Sequence, residues 1–293
     1  MSKILEFSIV IPYYNDELDS VLSAIDKAYL NSNNSEFIKL NVICVNNGGL
    51  MFSPSKSYSF ELKLIDENEH LCSPYSARNR GVELINSGWY IFLDSTCIPA
   101  LDWFDELKNF QEDRIYAANV QFYSKCKTSA GDIYDSIINI DNQKTVKQSG
   151  VAKTACLAVS SKSIETVGLF EEKIRSGGDV LWTSKSTSLG FQLVFLPNWI
   201  VSKESRNTQG LIKKQFRVSS GWYKIWKRDG TVIPNFVKRV LLFFIPPNPF
   251  QLFNTARRRK VDLSIFDKLS ITLLGWFLRL VSAVGIVYGM LKK

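Results

Sequence analysis

Three short apolar runs in this chain stop at polar residues, and polar side chains at such places suit the holding of a nucleotide. FSIVIP runs into Tyr13-Tyr14-Asn15, LNVICV into Asn46-Asn47-Gly48-Gly49, and WYIFL into Asp94-Ser95-Thr96. Amide and carboxylate groups can bond a base edge and a ribose, and glycine lets backbone approach a ligand closely. In an open α/β sheet, ligands bind just beyond the carboxyl ends of the strands. Taken singly, Asn-Asn-Gly-Gly is only a turn and Asp94 only a helix cap; together, in strand order, they favour a site. Other chemistries have less to work with. The one histidine, His70, rules out a His-rich metal centre and leaves one candidate for any Ser-His-Asp or Cys-His arrangement. Cys44, Cys72, Cys97, Cys126 and Cys156 form no CxxC pair. Neither zinc spacing nor a disulfide framework is therefore expected, and reduced thiols in a cytosolic compartment are. There is no P-loop, GxSxG elbow or GxGxxG, so NTPase, α/β-hydrolase and dinucleotide oxidoreductase readings have no support.

The elements that must carry these residues follow from periodicity. Residues 7–15 read as a buried strand and 16–31 as a helix, with Leu18, Val21, Leu22 and Ile25 at helical spacing. Strands are predicted at 40–49 and 60–67. A helix is predicted from about Tyr75, with Ser73 as N-cap and Pro74 at the first position. Further strands are predicted at 89–99 and 155–160, and a helix at 179–189. This β-α-β-β-α-β order implies an α/β layer fold with a mostly parallel sheet. The start, MSKILEFSIVIP, reads as a first strand rather than a signal peptide.

Charge divides the 293 residues. The formal net charge is +8. Residues 1–202 hold 18 Lys and Arg against 24 Asp and Glu, a charge of −6, whereas residues 203–293 hold 18 against 4, a charge of +14. The basic part is also apolar. Its run from Leu269 to Leu291 has one charge, Arg279, and as a helix would be about 35 Å long, enough for a bilayer core of about 30 Å. A central arginine costs roughly 2.5–3.5 kcal/mol there. Small or polar residues Thr272, Gly275, Arg279, Ser282 and Gly289 share one helical face. An in-plane membrane helix therefore competes with a spanning one, and a helix buried on the body competes with both. The expected organisation is a domain over 1–220 and a basic, apolar, helical, membrane-associating region over 221–293. The mixture of cations and aromatics in KKQFRVSSGWYKIWKR is compatible with nucleic acid, but no nucleic-acid-binding motif accompanies it. An anionic membrane surface is the expected partner, and nucleic acid is not.

Three segments carry a resemblance to a known family. FSIVIPYYN, SARNRGVELINSGWYIFLDSTCIP (76–99) and VGLFEEKIRSGGDVLWTSKSTSLGFQLVFLP (167–197) are similar, in order and approximate spacing, to the inverting family 2 glycosyltransferases of the GT-A fold. The resemblance covers roughly residues 6–220. It implies a Rossmann-like, nucleotide-sugar-binding GT-A domain. Pro12, Tyr13, Asn15 and Asn46, with Asn47, would line the nucleoside pocket. Arg78 would lie near the nucleotide, and Asp94 would approach the ribose and diphosphate and serve as metal ligand. Asp179 would be the general base, since an inverting transfer needs one group to deprotonate the acceptor hydroxyl.

The chain departs from the family's pattern in three places. Asn46-Asn47 stands where carboxylates are usual. Thr96 replaces the second Asp of the DxD, and threonine is a poor ligand for a divalent cation. Lys203 stands where many relatives have a histidine three residues before an arginine, here Arg206. A divalent cation, Mg²⁺ or Mn²⁺, therefore stays open. A metal-independent enzyme would use the Lys203 ammonium in place of the cation to hold the leaving diphosphate, with Thr96 also counted among the donor-binding residues. The expected activity is transfer of a sugar from a UDP- or GDP-sugar to a saccharide or lipid-linked saccharide in surface polysaccharide synthesis. The expected location is the cytoplasmic face of the cell membrane, peripheral or held by a single C-terminal anchor. The alternative is an inactive GT-A-like protein that binds a nucleotide-sugar or a partner there.

Overall fold

A computed structural model describes residues 4–33, 35–124, 129–174, 176–228 and 233–291. Cys126 lies outside the described residues. In chain order the elements are β1 (Leu5–Tyr13), α1 (Asp19–Asn31), β2 (Ile38–Asn46), β3 (Glu61–Asp66), α2 (Pro74–Leu84), β4 (Trp89–Leu93), β5 (Cys97–Pro99), β6 (Arg114–Tyr123), α3 (Ala130–Ile138), α4 (Asn142–Ser149), β7 (Cys156–Ser160), α5 (Ser161–Val167), α6 (Gly178–Ser188), β8 (Gln192–Glu204), α7 (Thr208–Arg228), α8 (Ile233–Leu241), α9 (Pro249–Arg258) and α10 (Ile265–Leu291). The chain forms two compact units, residues 1–121 with 140–203, and residues 122–139 with 204–293.

The first unit is built on a sheet of order β3-β2-β1-β4-β7-β6-β8-β5. The expected parallel sheet is its β3-β2-β1-β4 half. Beyond β4 the direction changes: β7 is antiparallel to β4 and β6, and β5 is antiparallel to β8. The apolar runs of β1, β2 and β4 are buried along nearly their whole length, as strands covered on both faces must be. Val10, Val45, Phe92, Leu157 and Trp182 share one core cluster. Elsewhere in the unit Trp103 stacks on Trp199 at 5.3 Å and Phe110 on Tyr116 at 4.1 Å. Helix α2 starts as its sequence predicts: Ser73 caps it by accepting from Ser76 N, and Pro74 stands in its first turn. It lies close to β1, where a Cβ on Gly81 would sit 2.3 Å from a Val10 methyl.

The strand predicted at 89–99 is two strands. After Leu93 the chain turns, with Cys97 N donating to Asp94 O at 2.9 Å, and β5 leaves to pair with β8. The turn is the Asp94-Ser95-Thr96 segment itself. β6 and β8 are not among the expected strands; Ala117, Ala118 and Asn119 dilute one apolar pattern, and Pro197-Asn198 interrupts the other.

The second unit is helical. Its insert, residues 122–139, is held by two buried carboxylates of α3. Asp135 accepts from Arg206 N at 2.9 Å and faces the Arg206 guanidinium at 3.4 Å. Asp132 accepts from Ser205 Oγ at 2.9 Å and from its own N-cap, Ser129. A Cβ on Gly131 would lie 2.2 Å from Thr208 N, so only glycine permits this approach. Ile137, Ala256 and Ile271 join α3, α9 and α10 in a small core.

Candidate active site

The ends of β1 and β2 are knotted together by their own polar residues. Asn15 adopts a left-handed conformation (φ 56°) and its Oδ1 accepts from Leu50 N at 2.7 Å. Asparagine tolerates that region better than most residues. Asn46 closes the Gly48-Gly49 turn: its Oδ1 accepts from Gly49 N, and its Nδ2 donates to Gly49 O and Asp66 Oδ1, all at 2.9 Å. Tyr13, next to Pro12, is buried, and its hydroxyl accepts from Phe52 N at 3.1 Å. Burial raises its pKa. Asn47 N donates to Tyr13 O at 2.8 Å, and Asn47 Oδ1 is buried with no hydrogen-bond partner among the described residues. Asn46 thus shapes this loop, while Asn47 keeps an acceptor in reserve, which a buried amide rarely does without a ligand to satisfy it.

At the end of β4, Asp94 lies between two cations. Its Oδ1 accepts from Arg78 Nη2 at 2.9 Å and its Oδ2 from Lys203 Nζ at 2.9 Å. Arg78 comes from α2 and is 3% exposed; Lys203 comes from β8 and is 4% exposed. Lys203 is delivered by the β5–β8 pairing, opposite Cys97. Its ammonium also donates to Thr96 Oγ1 at 2.8 Å and lies 3.7 Å from Cys97 Sγ. Burial pushes the Cys97 thiol up to about 12 despite that cation. Arg78 Nε is buried with no partner among the described residues, and the guanidinium lies over the Tyr75 ring at 5.6 Å.

Tyr75 links this cluster to Asp179. Its hydroxyl donates to Asp179 Oδ1 at 3.2 Å. Burial, together with the Asp179 charge, drives the Tyr75 pKa well above that of an ordinary phenol, so it remains a donor. Val180 N donates to the same oxygen at 2.9 Å, and Lys153 Nζ stands 3.6 Å from it. These contacts fall on Oδ1. Asp179 is in the first turn of α6, as predicted, where helix N–H groups favour a carboxylate. Two glycines set this up: Gly177 has φ 87°, and a Cβ on Gly178 would lie 2.8 Å from the Tyr75 ring.

The sequence pattern described as glycosyl transferase family 2 matches residues 8–164, which hold β1 through β7 and both clusters except Asp179 and Lys203. The chain belongs to glycosyl transferase family 2. It is a glycosyltransferase with the GT-A fold. It is 29% identical to Glycosyltransferase AglE of Haloferax volcanii, over 97% of this chain and 96% of that one. Its fold is like that of the mannosyltransferase PcManGT from Pyrobaculum calidifontis, solved in complex with GDP-Man and Mn²⁺, with a TM-score of 0.59 at 15% identity, over 98% of this chain and 88% of that chain. It is also like residues 1–349 of S. aureus TarS in complex with UDP-GlcNAc, with a TM-score of 0.50 at 11% identity, over 91% of this chain and 78% of that chain.

This family 2 chain brings Arg78, Asp94, Thr96 and Lys203 into direct contact, and Tyr75 connects them to Asp179. His70 is elsewhere, its Nε2 2.7 Å from Glu172, among carboxylates that also bind Arg80. Arg206 belongs to the second unit, on Asp135. Tyr75 and Lys153 were not legible as site residues, because their contacts with Asp179 cross long stretches of chain; the one local signal was the Ser73-Pro74 cap that starts α2 beside Tyr75. The donor set suits a divalent cation poorly. Both Asp94 oxygens accept from cationic side chains, Thr96 offers a neutral hydroxyl, and among the described residues no three His, Cys, Asp or Glu come together for a metal.

Proposed function

We propose that this glycosyltransferase moves a sugar, with inversion, from a nucleoside diphosphate donor to a hydroxyl of a saccharide or lipid-linked saccharide. The observation that carries this reading is the unbroken chain of contacts Asp179–Tyr75–Arg78–Asp94–Lys203. It sets a carboxylate at one end and a pair of cations at the other, the two charges an in-line displacement needs. The solved relatives with GDP-Man and with UDP-GlcNAc support a nucleotide-sugar donor, UDP- or GDP-linked. Asp179 Oδ2 takes the acceptor proton. The acceptor oxygen bonds to the anomeric carbon as that carbon's bond to the diphosphate oxygen breaks, and the departing nucleoside diphosphate keeps the electron pair. Tyr75 orients Asp179 through Oδ1. Asn15, Asn46 and Tyr13 hold the loop against which the nucleoside would lie, and Asn47 Oδ1 is the acceptor it would meet.

In this reading the Lys203 ammonium stands in place of the metal. Charge balance supports it. Two carboxylates with one divalent cation sum to zero; Asp94, neutral Thr96 and one ammonium also sum to zero. Arg78 then leaves the same single positive charge facing a diphosphate in either design. A fixed cation that needs no reorganisation stabilises charge where it develops. A surface-polysaccharide role belongs to the same reading and rests on the basic, apolar tail. Thr96 and Asn46 favour one alternative, a protein that binds a nucleotide-sugar without turnover.

The test is nucleotide release from UDP- and GDP-sugars, with donor binding followed by calorimetry. Turnover and binding are expected in EDTA. Asp179→Asn is expected to lose at least 100-fold in rate while still binding donor. Lys203→Met is expected to weaken diphosphate binding in a way Mn²⁺ does not repair. Dependence on Mn²⁺ or Mg²⁺, or a Lys203 variant that binds and turns over normally, would overturn the metal-free reading. Binding without turnover by any donor would favour the alternative.

A further inference from the structure

Among the described residues, α10 is the one helix long and apolar enough to cross a membrane, at 27 residues. What packs on it argues against crossing. Its buried residues, among them Leu274, Leu278, Ser282, Ile286 and Gly289, form one face, and α7 lies along that face. Leu211 packs with Leu274 and Leu278. Gln215 Nε2 donates to Ser282 Oγ at 2.7 Å, and the Phe216 ring lies 5.3 Å from Tyr288. A Cβ on Gly285 would lie 2.1 Å from Ser219 Oγ, and one on Gly289 would lie 2.0 Å from Ser220 O. The two helices therefore touch at backbone distance over residues 211–220 and 274–289. A spanning α10 would take that stretch of α7 into the hydrocarbon with it. The stretch holds Lys213, Lys214 and Arg217 and no acidic residue, so three more cations would join Arg279 in a medium that penalises each one.

The opposite face of α10 is apolar and open. Leu269, Leu273, Phe277, Val284, Val287 and Leu291 are 43–74% exposed. The face continues onto residues 241–245. Trp276 Nε1 donates to Phe244 O at 3.0 Å, and the Arg279 guanidinium donates to Leu242 O and lies over the Phe243 ring. Leu241, Leu242, Phe244 and Ile245 are exposed there as well. Arg279 is thus occupied by backbone and ring rather than aimed at lipid. Exposed cations on the same unit, Lys238, Arg239, Arg257, Arg258, Lys260 and Lys268, supply what an apolar patch alone does not, a preference for a partner with negative charge. Two copies of a tail that carries +14 would repel each other, which argues against self-association.

We infer that the second unit docks on an anionic bilayer surface with α10 lying in the membrane plane, its Leu273–Phe277–Val284 face in the interface and α7 on the water side. This goes beyond the transfer reaction and does not depend on it.

The full chain, synthesised in a cell-free system with vesicles present, tests this. It is expected to float with vesicles containing phosphatidylglycerol and much less with phosphatidylcholine alone. The double variant Leu273→Glu, Phe277→Glu, both at exposed positions, is expected to lower partitioning at least tenfold while nucleotide binding by the first unit is unchanged. Ser264→Cys and Leu291→Cys, each made with Cys72 and Cys126 replaced by Ser, flank α10. Both are expected to react with a membrane-impermeant maleimide. Labelling of only one end would mean a spanning helix and would overturn the inference. So would a wild-type chain that ignores both vesicle types, including one whose apolar face is covered by dimerisation.

Discussion

Lys203 Nζ lies 2.9 Å from Asp94 Oδ2, although 109 residues separate the two. The contact exists because β5, only three residues long, pairs with β8 in the register Cys97↔Lys203. The ammonium is buried while the carboxylate is partly exposed, and with Arg78 on the other oxygen the trio carries one net positive charge. The positive charge of this cluster is therefore part of the fold, present before any ligand arrives.

The Tyr75 hydroxyl is a positioning group for Asp179. Tyr75→Phe removes one donor from Oδ1 and leaves the ring that supports Arg78. We expect a fall of about tenfold in kcat with little change in donor KM, and a loss of stability of about 1.5–3 kcal/mol, the usual range for a hydrogen bond to a charged group. Initial rates and thermal unfolding measure the two effects separately.

Gly178 has no room for a side chain. In Gly178→Ala the new methyl would meet the Tyr75 ring at 2.8 Å, so ring or helix must shift. A loss of about 1–3 kcal/mol is expected from overpacking, with a drop in rate larger than that of Tyr75→Phe because Asp179 moves as well. A rate equal to wild type would show that the ring gives way freely.

The buried thiols predict an alkaline limit. Burial pushes Cys44 and Cys97 up to about 12, from an ordinary thiol value of 9.0. Below pH 9 both are neutral, folded or unfolded, and cost nothing. Above it the unfolded chain ionises first, so stability falls by about 1.4 kcal/mol per pH unit for each thiol until the folded values are reached. Urea unfolding at pH 8, 9 and 10 should show a flat region and then a decline. At pH 8 maleimide should modify the partly exposed Cys72 ahead of the buried Cys44, Cys97 and Cys156.

Asp135 anchors the insert of the second unit. It is 1% exposed and accepts from both the backbone and the guanidinium of Arg206. Asp135→Ala is expected to cost about 1.5–3 kcal/mol and to raise hydrogen exchange across residues 129–139 and 204–210, while exchange in β1, β2 and β4 is unchanged.

By itself the sequence determined the parallel half of the sheet, because β1, β2 and β4 are apolar runs that only a doubly covered strand explains, and their polar stops fall at one edge of that half. It also determined the start of α2, where Ser73 and Pro74 act within one helical turn, and the place of Asp179 in the first turn of α6. These features depend on neighbours in the chain. Tertiary structure alone decided the rest. Asp94 meets Lys203, and Tyr75 meets Asp179, through pairings of distant elements that no local pattern encodes. Asn46, expected to line the nucleoside pocket, bonds the Gly49 backbone and Asp66 through its amide, contacts the sequence pattern does not show. The 122–139 insert joined the basic tail through Asp132 and Asp135, two carboxylates that look like ordinary surface charges until their burial is seen. For α10, hydropathy left spanning, lying in the membrane plane and burial on the body all open; the packing of the basic helix α7 along one of its faces is visible only in the tertiary structure.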